Sequence, residues 1–222
     1  MSDSIEQRLN MVESQVRPSD VTDRRIIRAM LEIPREGYAP AAVRAIAYMD
    51  AALPVSPRGR APARYLLAPR DFAKLVQLAD IGVGDVVLDV GCATGYSTAV
   101  LSKLAKAVIA LESDKALADT ARAALAAAGV HNAIVLEGDL AAGAPEHAPF
   151  DAIVLNGAVP FAPQTLLDQL KDGGRLVAVL AQGPVGRAQV WRRSGAVCDG
   201  RPAFDAAAEP LPGFARAAGF VL

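Results

Sequence analysis

Residues Val86–Gly95 read VVLDVGCATG, and the change of character inside this stretch decides the fold. A run of β-branched and apolar residues, suited to a buried parallel strand, carries Asp89 and then breaks into a glycine-rich turn. Tyr96–Leu104 (YSTAVLSKL) resumes at helical spacing, so the chain runs strand, tight turn, helix. Gly91 and Gly95 lack the Cβ that would block a positive φ or a close approach, and the first N–H groups of the helix point into the same space. The turn predicts a small-molecule site built from Asp89, Gly91, Cys92, Ala93 and Gly95.

The ligand is narrowed by the next acidic residue. Ala107–Leu111 (AVIAL) is a second buried-strand pattern, and Glu112 closes it 21 residues after Gly91. A nucleotide-binding α/β fold places a carboxylate there to accept hydrogen bonds from ribose hydroxyls, which disfavours a 2′-phosphate. A dinucleotide calls for the fuller G-x-G-x-x-G, whereas the third position of this turn is Ala93 and the sixth is Tyr96. S-adenosylmethionine brings no phosphate, and D-V-G-C-A-T-G resembles the D-x-G-x-G-x-G loop of class I methyltransferases, with alanine for the middle glycine. That ligand is favoured over a dinucleotide; the alternative is a glycine-rich turn with no ligand.

Composition sets the outer bounds. With 222 residues and 52% hydrophobic content, one well-filled core is the economical expectation, so the whole chain, 1–222, is read as one domain. A net charge of −1 provides no basic track for nucleic acid. Two cysteines and two histidines make neither a disulfide framework nor a metal-ligand set, and a reducing, cytoplasmic compartment is expected. The opening MSDSIEQRLN is polar, and no apolar run reaches about 18 residues, so neither secretion nor membrane insertion is predicted. The oligomeric state is not legible.

Beyond the first unit, strands are predicted at Ala133–Leu136, Phe150–Leu155 and Arg175–Ala181, giving five in parallel with the two above. Asp114–Ala128 reads as a helix closed by Gly129, and Thr165–Leu170 as a helix ended by Asp172-Gly173-Gly174. Ala188–Arg193 and Val197–Phe204 flank Ser194-Gly195 as an edge hairpin. This Rossmann-like core spans 81–222, and residues 1–80 form a helical extension with an acceptor loop. Within it, Ile5–Val16 and Thr22–Leu31 read as amphipathic helices, the second opened by Thr22-Asp23 as N-cap. The extension either roofs the ligand and forms the acceptor site, or only packs on one sheet face.

Together these blocks resemble the protein-L-isoaspartate (D-aspartate) O-methyltransferase family. The resemblance runs through Arg8–Val16 (RLNMVESQV), Val21–Pro40 (VTDRRIIRAMLEIPREGYAP), Ala47–Val55 (AYMDAALPV), the cofactor turn, Leu136–Asp139 (LEGD), Ala148–Pro160 (APFDAIVLNGAVP) and Leu166–Val179 (LLDQLKDGGRLVAV). It implies a seven-stranded, mostly parallel class I sheet and methylation of an isoaspartyl carboxylate from S-adenosylmethionine. It also implies an acidic group near the adenine amine at Asp139, with Gly138 and Leu140 beside it among the cofactor-binding candidates, the alternative being a surface turn; Asn156 and Gly157, at the far end of the fourth strand, are read as reaching the methionine moiety or the acceptor. An isoaspartyl carboxylate is ionised at neutral pH, so the enzyme needs orientation and desolvation rather than a general base.

One segment departs from the family. The pattern has a hydroxyl residue two before a proline to position the acceptor; counting to Pro69 puts Leu67 there, and no Ser or Thr occurs from Pro57 to Asp85. The loop before Pro69 is longer than usual and carries Arg58, Arg60, Arg64 and Arg70 with Tyr65 among them. Either guanidinium groups of Arg58, Arg60 and Arg64 clamp an anionic acceptor, with Tyr65 or Ser56 supplying the hydroxyl, or the loop is simply solvated. The departure predicts weak or absent isoaspartyl activity that Leu67→Ser alone does not restore. It leaves open a small anionic metabolite as acceptor, or a protein that binds S-adenosylmethionine without transferring its methyl. Asp151 reads as structural, and His131 and His147 as exposed loop residues.

Overall fold

The computed structural model describes residues 2–56, 59, 63–181 and 185–214. The chain opens with helix α1 (Ser2–Met11), a wider π turn at Val12–Val16 and helix α2 (Arg24–Glu32), then short 3₁₀ turns at Arg35–Tyr38 and Ala41–Ile46. An antiparallel ribbon follows, β1 (Leu53–Pro54) against β2 (Tyr65–Leu66), and helix α3 (Pro69–Ala79) leads to the sheet. The strands are β3 (Val86–Val90), β4 (Ala107–Glu112), β5 (Ala133–Glu137), β6 (Phe150–Val159), β7 (Leu170–Leu180), β8 (Arg187–Ser194) and β9 (Val197–Asp205). Helices α4 (Tyr96–Ser102), α5 (Lys115–Ala127) and α6 (Gln164–Leu167) connect them.

These seven strands form one sheet in the order β5-β4-β3-β6-β7-β8-β9, parallel from β5 to β7 and antiparallel thereafter. Because β3 lies between β4 and β6, successive crossovers leave it in opposite directions. A crevice therefore opens at the carboxyl ends of β3 and β6, where open α/β sheets bind ligands. Both faces are buried, and alternate residues sort between them. Val87, Val154 and Val177 join the cluster under the N-terminal layer, while Leu88, Leu155 and Leu176 join a second cluster with Leu140, Trp191, Leu211 and Phe214.

Several expected boundaries shift. The first helix is α-helical only to Met11; the wider turn after it keeps Val12 and Val16 both turned into the core. Asp23, not Thr22, caps α2, its carboxylate accepting from the Arg25 N–H at 2.8 Å. The helix expected at Thr165–Leu170 is a single turn, because Leu170 already pairs with Phe150 at the start of β7. Asp172-Gly173-Gly174 is then no helix stop. It forms the irregularity where pairing jumps from Phe150↔Leu170 to Ala152↔Arg175. Helix α3 and the ribbon were not expected, since the arginine-rich stretch reads as loop. Yet Pro69 starts α3 and Phe72, Ala73, Leu75, Val76 and Ala79 line its buried face.

Candidate active site

The turn after β3 is held from below. Gly91 and Gly95 lie at φ +74° and +94°, and Ala93 at +51°, a left-handed conformation that costs a side-chain-bearing residue about 1–2 kcal/mol. A Cβ on Gly95 would stand 3.3 Å from the Cα of Ala121, so glycine there lets α5 come in close. Asp89, fully buried beneath the turn, accepts from Ser97 Oγ (2.8 Å) and Thr98 Oγ1 (2.6 Å) on one oxygen and from Asn156 Nδ2 (2.6 Å) on the other. Burial nevertheless outweighs these bonds and raises its carboxyl above the usual range. Cys92 is a buried thiol pushed well up by desolvation, so it carries no thiolate chemistry.

Glu112, at the end of β4, is fully buried and ties this turn to its neighbours. One oxygen accepts from the N–H groups of Ser113 (2.9 Å) and Asp114 (3.2 Å); the other accepts from Ala93 N (2.8 Å) and Arg64 Nη2 (2.9 Å). Arg64 was expected to face an acceptor. It reaches instead into the crevice at the position expected for ribose, buried, with its Nε lacking a partner among the described residues. Its backbone is fastened to Ser56 Oγ (2.8 Å) and Val55 N (2.9 Å), so the Ser56 hydroxyl serves the loop. Arg58 and Arg60 lie outside the described residues, and Arg70 pairs with Asp50 (3.2 Å). His131 and His147 are exposed, and Asp151 binds Val86 N (2.8 Å) and Lys171 (2.6 Å) as a strand fastener.

The C-terminal segment crosses the same crevice. Ala158 donates to Glu209 O (2.8 Å) and accepts from Leu211 N (2.9 Å), which lays Leu211 over the two glycines. A Cβ on Gly91 would stand 2.7 Å from Arg64 Nη2 and 2.9 Å from Leu211 Cδ2, and one on Gly157 would stand 2.6 Å from Leu211 Cγ. Gly138 donates to Glu112 O (3.0 Å), Leu140 is buried, and exposed Asp139 accepts from Ala141 N (3.0 Å) with Gly213 close against it. The sequence-predicted residues from Asp89 to Asn156 thus converge on one crevice.

The wall facing the turn is assembled from the N-terminal layer. Arg35, fully buried, donates from Nε to Ala47 O (2.8 Å) and from Nη2 to Leu67 O (2.7 Å), and stacks 4.8 Å above the Tyr96 ring. Tyr38 meets the same ring edge-on at 5.8 Å, and its carbonyl accepts from Thr94 Oγ1 (2.6 Å), which pins the layer to the turn. Between layer and turn lies a cavity of about 10 Å³, the size of one water, lined by Arg35, Tyr65, Leu67, Gly91, Tyr96 and Asn156 among others.

Comparison with known proteins decides what this crevice belongs to. The model of the protein-L-isoaspartate(D-aspartate) O-methyltransferase family matches residues 6–200. The chain belongs to that family. It is 38% identical over 187 residues to protein-L-isoaspartate O-methyltransferase 1 of Rhodopseudomonas palustris, covering 84% of this chain and 72% of that one. It is 40% identical over 172 residues to the Methanoculleus marisnigri protein-L-isoaspartate O-methyltransferase, covering 78% and 76%. Two solved structures share the fold. One is a protein-L-isoaspartate O-methyltransferase (TM-score 0.82, 24% identity, 93% of this chain and 67% of that one). The other, from Plasmodium falciparum and in complex with S-adenosyl-L-homocysteine, has a TM-score of 0.76 at 20% identity and covers 92% and 97%.

As a family member the chain is an S-adenosylmethionine-dependent O-methyltransferase. The residues suit that donor: a buried carboxylate stands at the end of β4, and the glycine cradles at Gly91 and Gly157 have no Cβ. The space above Gly91 is taken by Arg64 and Leu211, and that above Gly157 by Leu211. Sequence reasoning missed Arg35, Tyr96 and Leu211 as site residues. Arg35 lies inside a block that carried the resemblance, yet a single arginine gives no spacing to read.

Proposed function

We propose that the chain methylates the side-chain carboxylate of isoaspartyl residues in proteins or peptides. The observation that carries this reading is the crevice itself: the donor turn and an acceptor-side cavity meet at Gly91 and Asn156, beneath the N-terminal blocks that mark the family. Asp89, Gly91, Cys92, Ala93, Gly95, Glu112, Gly138, Asp139, Leu140 and Asn156 form the donor side. Glu112 takes the ribose hydroxyls in exchange for Arg64, and the glycine cradle takes the methionine part in exchange for Leu211. Tyr65 and Leu67 face the acceptor. S-adenosylmethionine supplies an electrophilic methyl: one carboxylate oxygen bonds to it while the carbon–sulfur pair stays on sulfur, and no proton moves. The protein therefore contributes alignment and exclusion of water. Among the described residues no helix is long and apolar enough to cross a membrane, and two free cysteines suit a reducing compartment, where we place the protein.

The deciding experiment supplies methyl-labelled donor with an isoaspartyl peptide and with the same peptide carrying normal aspartate. Label in a base-labile ester of the isoaspartyl peptide alone is the expected result. Donor binding without any labelled peptide would overturn the acceptor assignment, and label appearing in a small metabolite of a cell extract would redirect it.

A further inference from the structure

Five buried side-chain polar atoms lack a partner among the described residues, and three of them, Arg35 Nη1, Tyr38 OH and Tyr96 OH, belong to one stacked cluster. Other buried charges are compensated. Asp89 accepts three hydrogen bonds, Glu112 faces Arg64, and Asp71 lies 3.6 Å from Arg70. Arg35 faces two backbone carbonyls and Tyr96, whose ring it stacks on and whose hydroxyl also interacts with its guanidinium. Among the described residues no carboxylate pairs with it, although a buried cation without a counter-ion is among the costliest arrangements a protein holds. A guanidinium stays protonated even when burial lowers its pKa, and burial holds the Tyr96 phenol in its protonated, donating form. Both side chains line the cavity that also touches Leu67, Gly91 and Asn156.

We propose that Arg35 Nη1 and the Tyr96 hydroxyl form the anion subsite that receives the acceptor carboxylate, replacing the hydroxyl that Leu67 does not supply. The proposal rests on the carboxyl-methylation reading and names the positioning groups within it. One carboxylate oxygen takes the two donors and balances the buried charge; the other stays free, toward the Gly91 side, to accept the methyl. The Arg35 Nη2 bond to the Leu67 carbonyl makes the same guanidinium a strut for the loop that bears the substituted residue. Arg35 thus fixes both the wall and the floor of the acceptor site. The cavity is no larger than a water while Arg64 and Leu211 close the crevice, so acceptor entry follows the same withdrawal that admits the donor.

The test compares full-length wild type with Tyr96→Phe, which removes the hydroxyl and keeps the ring under Arg35, and with Arg35→Lys, all loaded with S-adenosylhomocysteine. Calorimetry reads binding of an isoaspartyl peptide and of its analogue with the side-chain carboxylate amidated. Wild type should prefer the carboxylate at least tenfold. Tyr96→Phe should lose most of that preference and raise peptide KM about tenfold with kcat within about threefold and donor affinity unchanged. Sodium acetate, set against chloride at equal ionic strength, probes the subsite alone. A rise in Tm for wild type that Tyr96→Phe lacks supports the subsite even if the peptide is not the acceptor, so failure of the acceptor reading is told apart from failure of this one. Equal binding of carboxylate and amide by wild type, no acetate effect, or full discrimination retained by both variants would show that Arg35 and Tyr96 only bind water and hold the loop.

Discussion

The two walls of the crevice are built differently. On the donor wall, a strand, a turn and the first turn of a helix bring Asp89, Ser97 and Thr98 together with little help from elsewhere, and these three side chains satisfy one another, with Asn156 completing the set. On the acceptor wall, Arg35 and Tyr38 from one 3₁₀ turn, Leu67 from the segment after β2 and Tyr96 from the start of α4 come together from three separate places in the chain, and three polar atoms remain without partners among the described residues. A contiguous motif satisfies its own hydrogen bonds because its geometry is local. A wall assembled from layers leaves polar atoms over, and those leftover atoms are what a substrate can use.

The largest effect is expected where the local wall is broken. Asp89→Ala leaves the Ser97 and Thr98 hydroxyls and one Asn156 N–H without their acceptor, while the Asn156 amide keeps Val90 O, which costs about 3 kcal/mol even after the relief of the carboxylate's own desolvation. Urea midpoints should fall accordingly, and calorimetry should detect no S-adenosylhomocysteine binding. A variant within about 1 kcal/mol of wild type that still binds would mean the turn does not depend on Asp89.

Arg64 is where the two walls touch, so its replacement should move stability and affinity in opposite senses. Arg64→Gln removes one half of a buried ion pair, a loss of about 3 kcal/mol, the low end because Glu112 keeps its backbone N–H partners. The same change frees Glu112 for the ribose, and donor affinity should rise about tenfold, or roughly 1.4 kcal/mol. Weaker donor binding in a folded Arg64→Gln protein would instead place Arg64 among the groups that hold the donor.

What was legible follows the same division. Val86–Gly95, Glu112 and the five parallel strands could be read because each is a short pattern whose meaning is complete within a few residues. The start of α5 at Asp114 was similarly plain, and the structure shows why it starts there: Asp114 caps the helix by accepting from the N–H groups of Ala116 and Leu117. The acceptor wall was not. Arg35 finds its partners 12 and 32 residues away and Arg64 finds Glu112 48 residues away, separations that no spacing rule spans. Helix α3 was obscured because the arginines preceding Pro69 draw attention to a loop, and Leu211 because its role depends on the path of the C-terminal segment past Ala158. Ala93 shows a limit of a different kind: the alanine was visible, but its left-handed backbone at φ +51° was not.

A smaller effect is expected from restoring the family's residue on the acceptor wall. Leu67 is buried and its backbone is fixed by Arg35, so Leu67→Ser trades apolar burial, about 1–3 kcal/mol of stability, for a hydroxyl on a site already supplied with donors. Turnover of an isoaspartyl peptide should change by less than about threefold, or 0.7 kcal/mol in barrier. A tenfold gain would make the missing hydroxyl the real deficit of this chain and would argue against compensation by Arg35 and Tyr96.

The smallest effect should leave the donor wall untouched and act on the layer alone. Asp23 caps α2, the helix that precedes the Arg35 turn, accepting from Arg25 N at 2.8 Å and from the Arg25 side chain. Asp23→Ala should cost about 1 kcal/mol with donor affinity unchanged. The side-chain hydrogen bond from Arg25 lowers the Asp23 carboxyl below its ordinary 3.8, so the folded state holds the ionised form more tightly than the unfolded chain does. The contribution is therefore complete above 3.8 and is lost as pH falls through the lower, folded-state value. Urea midpoints of wild type and variant should differ most at neutral pH and converge in strong acid. A gap that persists undiminished in acid would mean the helix start is held by packing of Ile26, Ile27 and Met30 and not by the charged cap, and the acceptor layer would then owe its position to apolar contact alone.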